Sequence, residues 1–198
     1  WIIQEETHFS TVKGNKIWKH NQKCDHFCNF YGINYPYELE HTLTTGQNVH
    51  LLKSFEWHNE VYENTNNCKD RFHIYDETFN QAIVHNSEQV SGLLNLEFKG
   101  TRRPSEVAYI YPKKENNNTI TVLYDKSEQH YRFNQFYDYT KDRENNVSMF
   151  ITKENGYETE INSNYVDLSK DRKDLKQFRH YYNSIRFIRN NCNGLNFI

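Results

Sequence analysis

The alternation of apolar and polar residues predicts a chain built mostly from β-strands. From residue 49 onward the apolar residues fall on alternate positions in short runs, and the first clear run places four of them on one face: Val49, Leu51, Phe55 and Trp57. Asn155-Gly156 is typical of a tight hairpin turn. We expect about eight to ten strands joined by short turns, arranged as an antiparallel up-and-down barrel of about eight strands, since closure leaves no exposed edge.

The end of the chain carries a different pattern. Between residues 169 and 190 the apolar residues recur at spacings typical of one helix face: Leu175, Phe178, Tyr182, Ile185 and Ile188. Ser169 could accept the free N–H groups at the start of a helix, and Arg186 and Arg189 suit its negative end. We therefore expect one C-terminal α-helix over 169–190, packed against the outside of the barrel.

The length of the chain indicates a single domain over residues 1–198. We expect an irregular N-terminal segment and first strand over 1–47, barrel strands over 48–168, the helix over 169–190 and a closing segment over 191–198. The 15 Tyr and 13 Phe residues favour sheets, and the two alanines, Ala82 and Ala108, are too few for a helical bundle.

Charge and motifs reduce the number of functional classes. A net charge of −2 provides no general attraction to nucleic acid, and no apolar run has the roughly 18 residues that would span a bilayer. No hydrolase elbow, zinc-protease motif, phosphate-binding loop or dinucleotide fingerprint occurs. We therefore expect a binding protein, not an enzyme, with no required cofactor.

Four cysteines, Cys24, Cys28, Cys68 and Cys192, allow three disulfide pairings. We expect a local bridge between Cys24 and Cys28 and a long-range bridge between Cys68 and Cys192, which would indicate an oxidising compartment. His20 and His26 alternate with the first two cysteines, but four zinc ligands within nine residues would be unusually close together. We favour the disulfides and expect no metal site.

The order of elements resembles the lipocalins of the calycin superfamily. Tyr165–Lys170, the expected helix and the closing segment Cys192–Ile198 are similar to the tail of bacterial-type lipocalins. Gly14 and Trp18 resemble the family's glycine-x-tryptophan motif, although the spacing is two residues longer. The bias towards Asn, Lys and Tyr is similar to that of the vacuolar lipocalins of malaria-type parasites, which are associated with haem crystallisation.

The resemblance implies a secreted carrier or scavenger that holds a small hydrophobic ligand such as haem or a lipid. Trp18 would form the barrel floor, with Arg186 or Arg189 stacked on it. Seven aromatic residues at strand spacing are candidates for the cavity lining: Tyr109, Tyr111, Tyr124, Tyr131, Phe133, Tyr137 and Tyr139. The expected location is extracellular, or a parasitophorous or digestive vacuole.

The alternative is a β-rich interaction module that self-associates or binds a partner through an outer aromatic face. A filled core with exposed aromatic residues would favour the module, whereas an enclosed cavity would favour the carrier. A homo-oligomer is compatible with both.

Overall fold

The computed structural model describes residues 2–4, 9–20, 28–44, 46–64, 71–100, 110–115, 119–142, 147–152, 159–190 and 195–197. The protein is mainly β, as predicted. The chain divides into two compact units. The first comprises Trp1–Tyr37, Asn59–Thr78 and Arg189–Ile198, and the second comprises Glu38–His58 and Phe79–Ile188. That all 198 residues form one domain stays a prediction.

The strands in the first half of the chain are β1 (Ile2–Gln4), β2 (Phe9–Lys13), β3 (Lys16–His20), β4 (Asn29–Phe30), β5 (Ile33–Asn34), β6 (Tyr37–Thr44), β7 (His50–Leu51), β8 (Phe55–His58), β9 (Val61–Asn64), β10 (Arg71–His73), β11 (Gln81–His85) and β12 (Leu93–Phe98). Those in the second half are β13 (Lys113–Lys114), β14 (Thr119–Ser127), β15 (His130–Phe133), β16 (Phe150–Thr152), β17 (Thr159–Ile161), β18 (Arg179–His180), β19 (Tyr182–Arg189) and β20 (Leu195–Phe197). A single 3₁₀ turn covers Arg172–Asp174.

The first unit contains two small antiparallel sheets. Strands β1, β2 and β3 form one of them in sequence order, and β10, β9 and β20 form the other. The short β4–β5 hairpin places Tyr31 against Trp18, with ring centroids 5.6 Å apart in an edge-to-face arrangement. The N-terminal region that the sequence pattern indicated as irregular thus contains regular strands in its described part.

The second unit is organised around one eight-stranded sheet. Seven strands follow the order β6-β19-β11-β12-β14-β15-β8, and β13 adds to β14. The sheet curls into a half-barrel. Strands β12 and β14 run parallel, with Leu94 opposite Ile120. The prediction of purely antiparallel, up-and-down connections is therefore wrong, because a parallel pair requires a crossover between its strands.

The C-terminal helix predicted over 169–190 is also wrong. These residues form the 3₁₀ turn, β18 and β19, and β19 lies between β6 and β11 inside the sheet. An inner strand covered on both faces buries residues on both, and β19 buries Asn183, Ser184, Ile185, Phe187 and Ile188. The spacing of three and four that resembled a helix face combined two residues outside the strand, Leu175 and Phe178, with residues from the two faces of β19.

Candidate functional site

Three of the predicted ligand-binding residues lie on one face of the curled sheet. Tyr124 on β14 is paired in register with Phe133 on β15, and Tyr131 lies two residues before Phe133 on the same face. All three are buried, and the ring centroids of Tyr124 and Tyr131 are 5.8 Å apart. The structure therefore brings these three aromatic residues together.

This face is concave, and side chains fill its described part. Trp57 on β8 stacks on Tyr131 at 5.4 Å and reaches Phe187 on β19, whose ring centroid is 4.9 Å away. Strands β8 and β19 lie near opposite ends of the strand order, so this contact requires the sheet to curl. Phe55 packs on Phe133 at 5.9 Å. Aromatic side chains thus pack against one another across the concave face.

The other predicted lining residues are placed differently. Tyr139 is buried outside the sheet, where its backbone N–H donates to the carbonyl of Val90. Burial raises the pKa of Tyr139 to about 12. Tyr111 and Tyr137 are half-buried, and Tyr109 lies outside the described residues. Ligand binding by this set stays a prediction.

The three residues predicted to form a barrel floor have separate local partners. Trp18 packs against Tyr31 within the first unit. Arg186, in the second unit, donates to Glu40 and lies over the ring of Phe150 at 5.2 Å. Arg189, in the first unit, pairs with Glu77 at 2.6 Å. Stacking of either arginine on Trp18 stays a prediction.

The cysteine predictions fall mostly on residues outside the described ranges. Cys24, Cys68, Cys192 and His26 belong to that group, whereas Cys28 is described and half-buried. His20 is buried, and its Nε2 lies 2.8 Å from the Thr11 hydroxyl. Both predicted disulfides therefore stay predictions.

Strand β6 forms one end of the curled sheet and is attached to it by a polar network. Glu40 accepts a hydrogen bond from Arg186 Nε at 2.8 Å, and its other oxygen lies 3.2 Å from Nε2 of His85 on β11. The hydroxyls of Thr42 and Ser184 are 2.8 Å apart. Burial lowers the pKa of His85, and the nearby Arg186 charge lowers it further, although Glu40 opposes the shift. The network joins three neighbouring strands on one face of the sheet.

The opposite face of β6 is exposed and partly apolar. Seven of the eight residues of β6 are exposed. Leu39, His41 and Leu43 alternate along this face, and the two leucines are 46 % and 38 % exposed. A long end strand with exposed apolar residues is a surface on which another strand can pair.

A charged groove of about 440 Å³ lies elsewhere in the second unit. Its cations and carboxylates are equal in number, and the groove is lined by Glu88, Gln89, Asp138, Thr140, Lys141, Asp142, Lys170, Asp174, Lys176 and Arg179. Asp138 already accepts hydrogen bonds from Gln89 and from the backbone N–H of Thr140. The lining therefore carries no net formal charge.

Ser87 and His180 have the spacing of a nucleophile and its base, with Oγ and Nε2 3.1 Å apart. The backbone N–H of Tyr182 donates to Nδ1 of the same ring at 3.4 Å. The neutral ring therefore carries its proton on Nε2 and donates it to Ser87. In this tautomer His180 cannot accept the serine proton, so the pair is not arranged as an activated nucleophile.

No protein-family model matches the chain, and no curated protein matches it. The resemblance to lipocalins therefore stays a proposal. Among the residues that the structure describes, no helix has the length and apolar character needed to cross a bilayer.

The end position of β6 in the sheet and the contact between Trp57 and Phe187 were not identified from the sequence. The alternation in Tyr37–Thr44 was a readable strand signal, but nothing local shows that a strand will lie at the end of a sheet. The contact between Trp57 and Phe187 joins residues 130 positions apart, and it depends on the curl of the sheet.

Proposed function

We propose that the chain is a non-catalytic interaction protein that self-associates by pairing β6 with β6 of a second copy. The observation that carries this proposal is the position of β6 at the end of the strand order, with seven of its eight residues exposed. Pairing would add backbone hydrogen bonds between the two copies and bury the exposed leucines of the strand. The filled concave face also supports a surface-binding function over a cavity-binding one.

The side chains of β6 favour one register. An antiparallel pair centred on His41 places Leu39 opposite Leu43 of the second copy, which brings two exposed apolar residues together. The same register places Glu40 opposite Thr42, so no carboxylate faces another. A pair centred on Glu40 would set two carboxylates opposite each other, which is destabilising. A two-fold axis at His41 gives a closed, self-complementary dimer.

The dimer is tested by light scattering and sedimentation over a concentration series. We expect wild-type protein to dimerise and Leu39→Lys to shift the equilibrium strongly to monomer, because a lysine on a strand edge opposes pairing. Leu51→Lys is the matched control, since Leu51 has nearly the same exposure, 44 % against 46 %, on β7. Monomeric wild-type protein, or equal loss in both variants, would contradict the proposal.

The register has its own test. In a pair centred on His41 the two Cα atoms at this position lie about 4.5 to 5.5 Å apart, within the range that a disulfide spans. We expect His41→Cys to give an oxidised dimer whose bridge maps to position 41. Leu43→Cys would lie about 14 Å from its symmetry mate and is expected to give no such bridge. Bridging at 43 in place of 41 would refute the register.

A second proposal is that the protein is a lipocalin-type carrier of a small hydrophobic ligand, including a function in haem handling. The half-barrel curl supports it, as does Phe98, which is 50 % exposed beside Tyr124 on the same face. Secretion and closure of the barrel belong to this proposal. Saturable quenching of tryptophan fluorescence by haem, retinol or a fatty acid would support it, and its absence at micromolar protein would count against it.

A further inference from the structure

Two histidines face each other on the outer side of the curled sheet. His58 on β8 and His130 on β15 are direct cross-strand partners in an antiparallel pair. Both are exposed, and they lie on the face opposite Trp57 and Tyr131. Their ring centroids are 4.9 Å apart, with 44° between the ring planes.

This separation suits two ligands of one metal ion. A zinc–imidazole bond is about 2.1 Å long, and the ring centre lies about 1.1 Å behind the nitrogen, so each centroid would lie about 3.2 Å from the metal. Two such rings are about 4.5 Å apart at a ligand angle of 90° and about 5.2 Å apart at 109°. The observed 4.9 Å falls between these values.

Neighbouring charges do not oppose a cation at this position. Arg132, two residues from His130 on the same face, is paired with Glu56 of β8 at 3.3 Å. The arginine charge next to the histidines is therefore offset by a carboxylate on the same face. The described residues include no group of three or more His, Cys, Asp or Glu side chains suited to a metal, so water would complete the coordination.

We propose that His58 and His130 bind a divalent transition-metal ion of the zinc and copper class, and that the ion links β8 to β15. Imidazole is a preferred ligand of these metals. Strand β8 is at the end of the sheet opposite β6 and carries Trp57, which fills the concave face. Binding would therefore stabilise the strand that completes the packing of this face.

Another cross-strand histidine pair provides a matched control. His50 and His180 are register partners of β7 and β18. Both ring nitrogens of His180 already have partners, Ser87 at Nε2 and the Tyr182 N–H at Nδ1. This second pair is consequently not expected to bind the metal.

The test is calorimetric titration of the full-length protein with Zn²⁺ at neutral pH, repeated with Ni²⁺. We expect one site of micromolar affinity in wild-type protein, at least about tenfold weaker binding in His58→Gln and in His130→Gln, and no change in His50→Gln. The double variant should bind no more tightly than either single variant, because it retains neither imidazole of the pair. Circular dichroism of His58→Gln, His130→Gln and His50→Gln checks that these variants fold.

Thermal unfolding gives an independent measure. Saturating Zn²⁺ should raise the melting temperature of wild-type protein and of His50→Gln by a few degrees but leave His58→Gln and His130→Gln unchanged. The proposal is overturned if wild-type protein does not bind Zn²⁺ below millimolar concentration. It is also overturned if His58→Gln and His130→Gln bind Zn²⁺ as tightly as wild-type protein, or if His50→Gln is the variant that loses binding.

Discussion

Replacing Trp57 and Phe187 singly and together tests whether the sheet curls as described. The strand order separates β19 from β8 by five strand spacings, which in a flat sheet would be about 24 Å. The two ring centroids are nevertheless 4.9 Å apart. A direct energetic coupling between these side chains therefore exists only if the curl brings the strands together.

The expected magnitudes follow from burial. Phe187 is 5 % exposed, so Phe187→Ala should lower the free energy of unfolding by about 3 to 5 kcal/mol. Trp57 is half-buried, and Trp57→Ala should cost about 2 to 4 kcal/mol. An aromatic pair contributes about 0.5 to 1.5 kcal/mol beyond burial, and this is the coupling expected from the double-mutant cycle.

Urea unfolding followed by far-UV circular dichroism is the appropriate assay, since Trp57→Ala would remove the only tryptophan of the second unit. If the alanine variants unfold without urea, the cycle is repeated with leucine at both positions. Ile83 provides the control partner: it is also 5 % exposed but lies on the opposite face, paired with Arg186. A coupling between Trp57 and Phe187 that is no larger than that between Trp57 and Ile83 would refute the curled arrangement.

Three further predictions concern buried or half-buried polar groups. Because burial and Arg186 lower the pKa of His85 in the folded state, unfolding takes up a proton below pH about 6.5, and stability should fall as pH drops below that value. In His85→Gln the urea midpoint should decrease less between pH 7.5 and pH 5 than it does in wild-type protein. An equal decrease in both proteins would contradict this prediction. Ser91→Ala should cost about 1 to 3 kcal/mol in urea unfolding, because the buried N–H of Val84 donates to the serine oxygen at 2.9 Å, and a cost near zero would exclude that bond. The pKa of Tyr139 in the folded state is raised to about 12, so above pH about 10 this tyrosine ionises first in the unfolded state and the protein loses stability. Tyr139→Phe should therefore reduce the loss of stability between pH 10 and 12, as measured by alkaline unfolding.

The strand-rich character of the fold was predictable because strand periodicity is local. β14 and β15 appear in the sequence as alternating apolar runs, and this alternation places Tyr124, Tyr131 and Phe133 on one face. The function of that face was not predictable, because it depends on whether another side chain fills it. Trp57 and Phe187 do so from strands at distant positions in the sequence.

The error at the C-terminus has a specific physical cause. In Tyr182–Arg189 the strand is covered on both faces, so the period of two is lost, and the remaining spacing resembles a helix. Local propensity opposed the helix, since Tyr, Phe and Ile favour strands and Asn and Ser are poor helix formers. The neighbours of this strand, β6 and β11, decided the outcome.

The sequence by itself determined that the chain forms strands and which residues of the regular strands share a face, because backbone pleating sets side-chain direction within a few residues. Only the tertiary structure decided which strands are neighbours, which of them lie at the ends of the sheet, and how far the sheet curls. Those features depend on contacts between residues such as Glu40 and Arg186, which are 146 positions apart. The exposed face of β6 and the paired histidines of β8 and β15 are consequences of that arrangement.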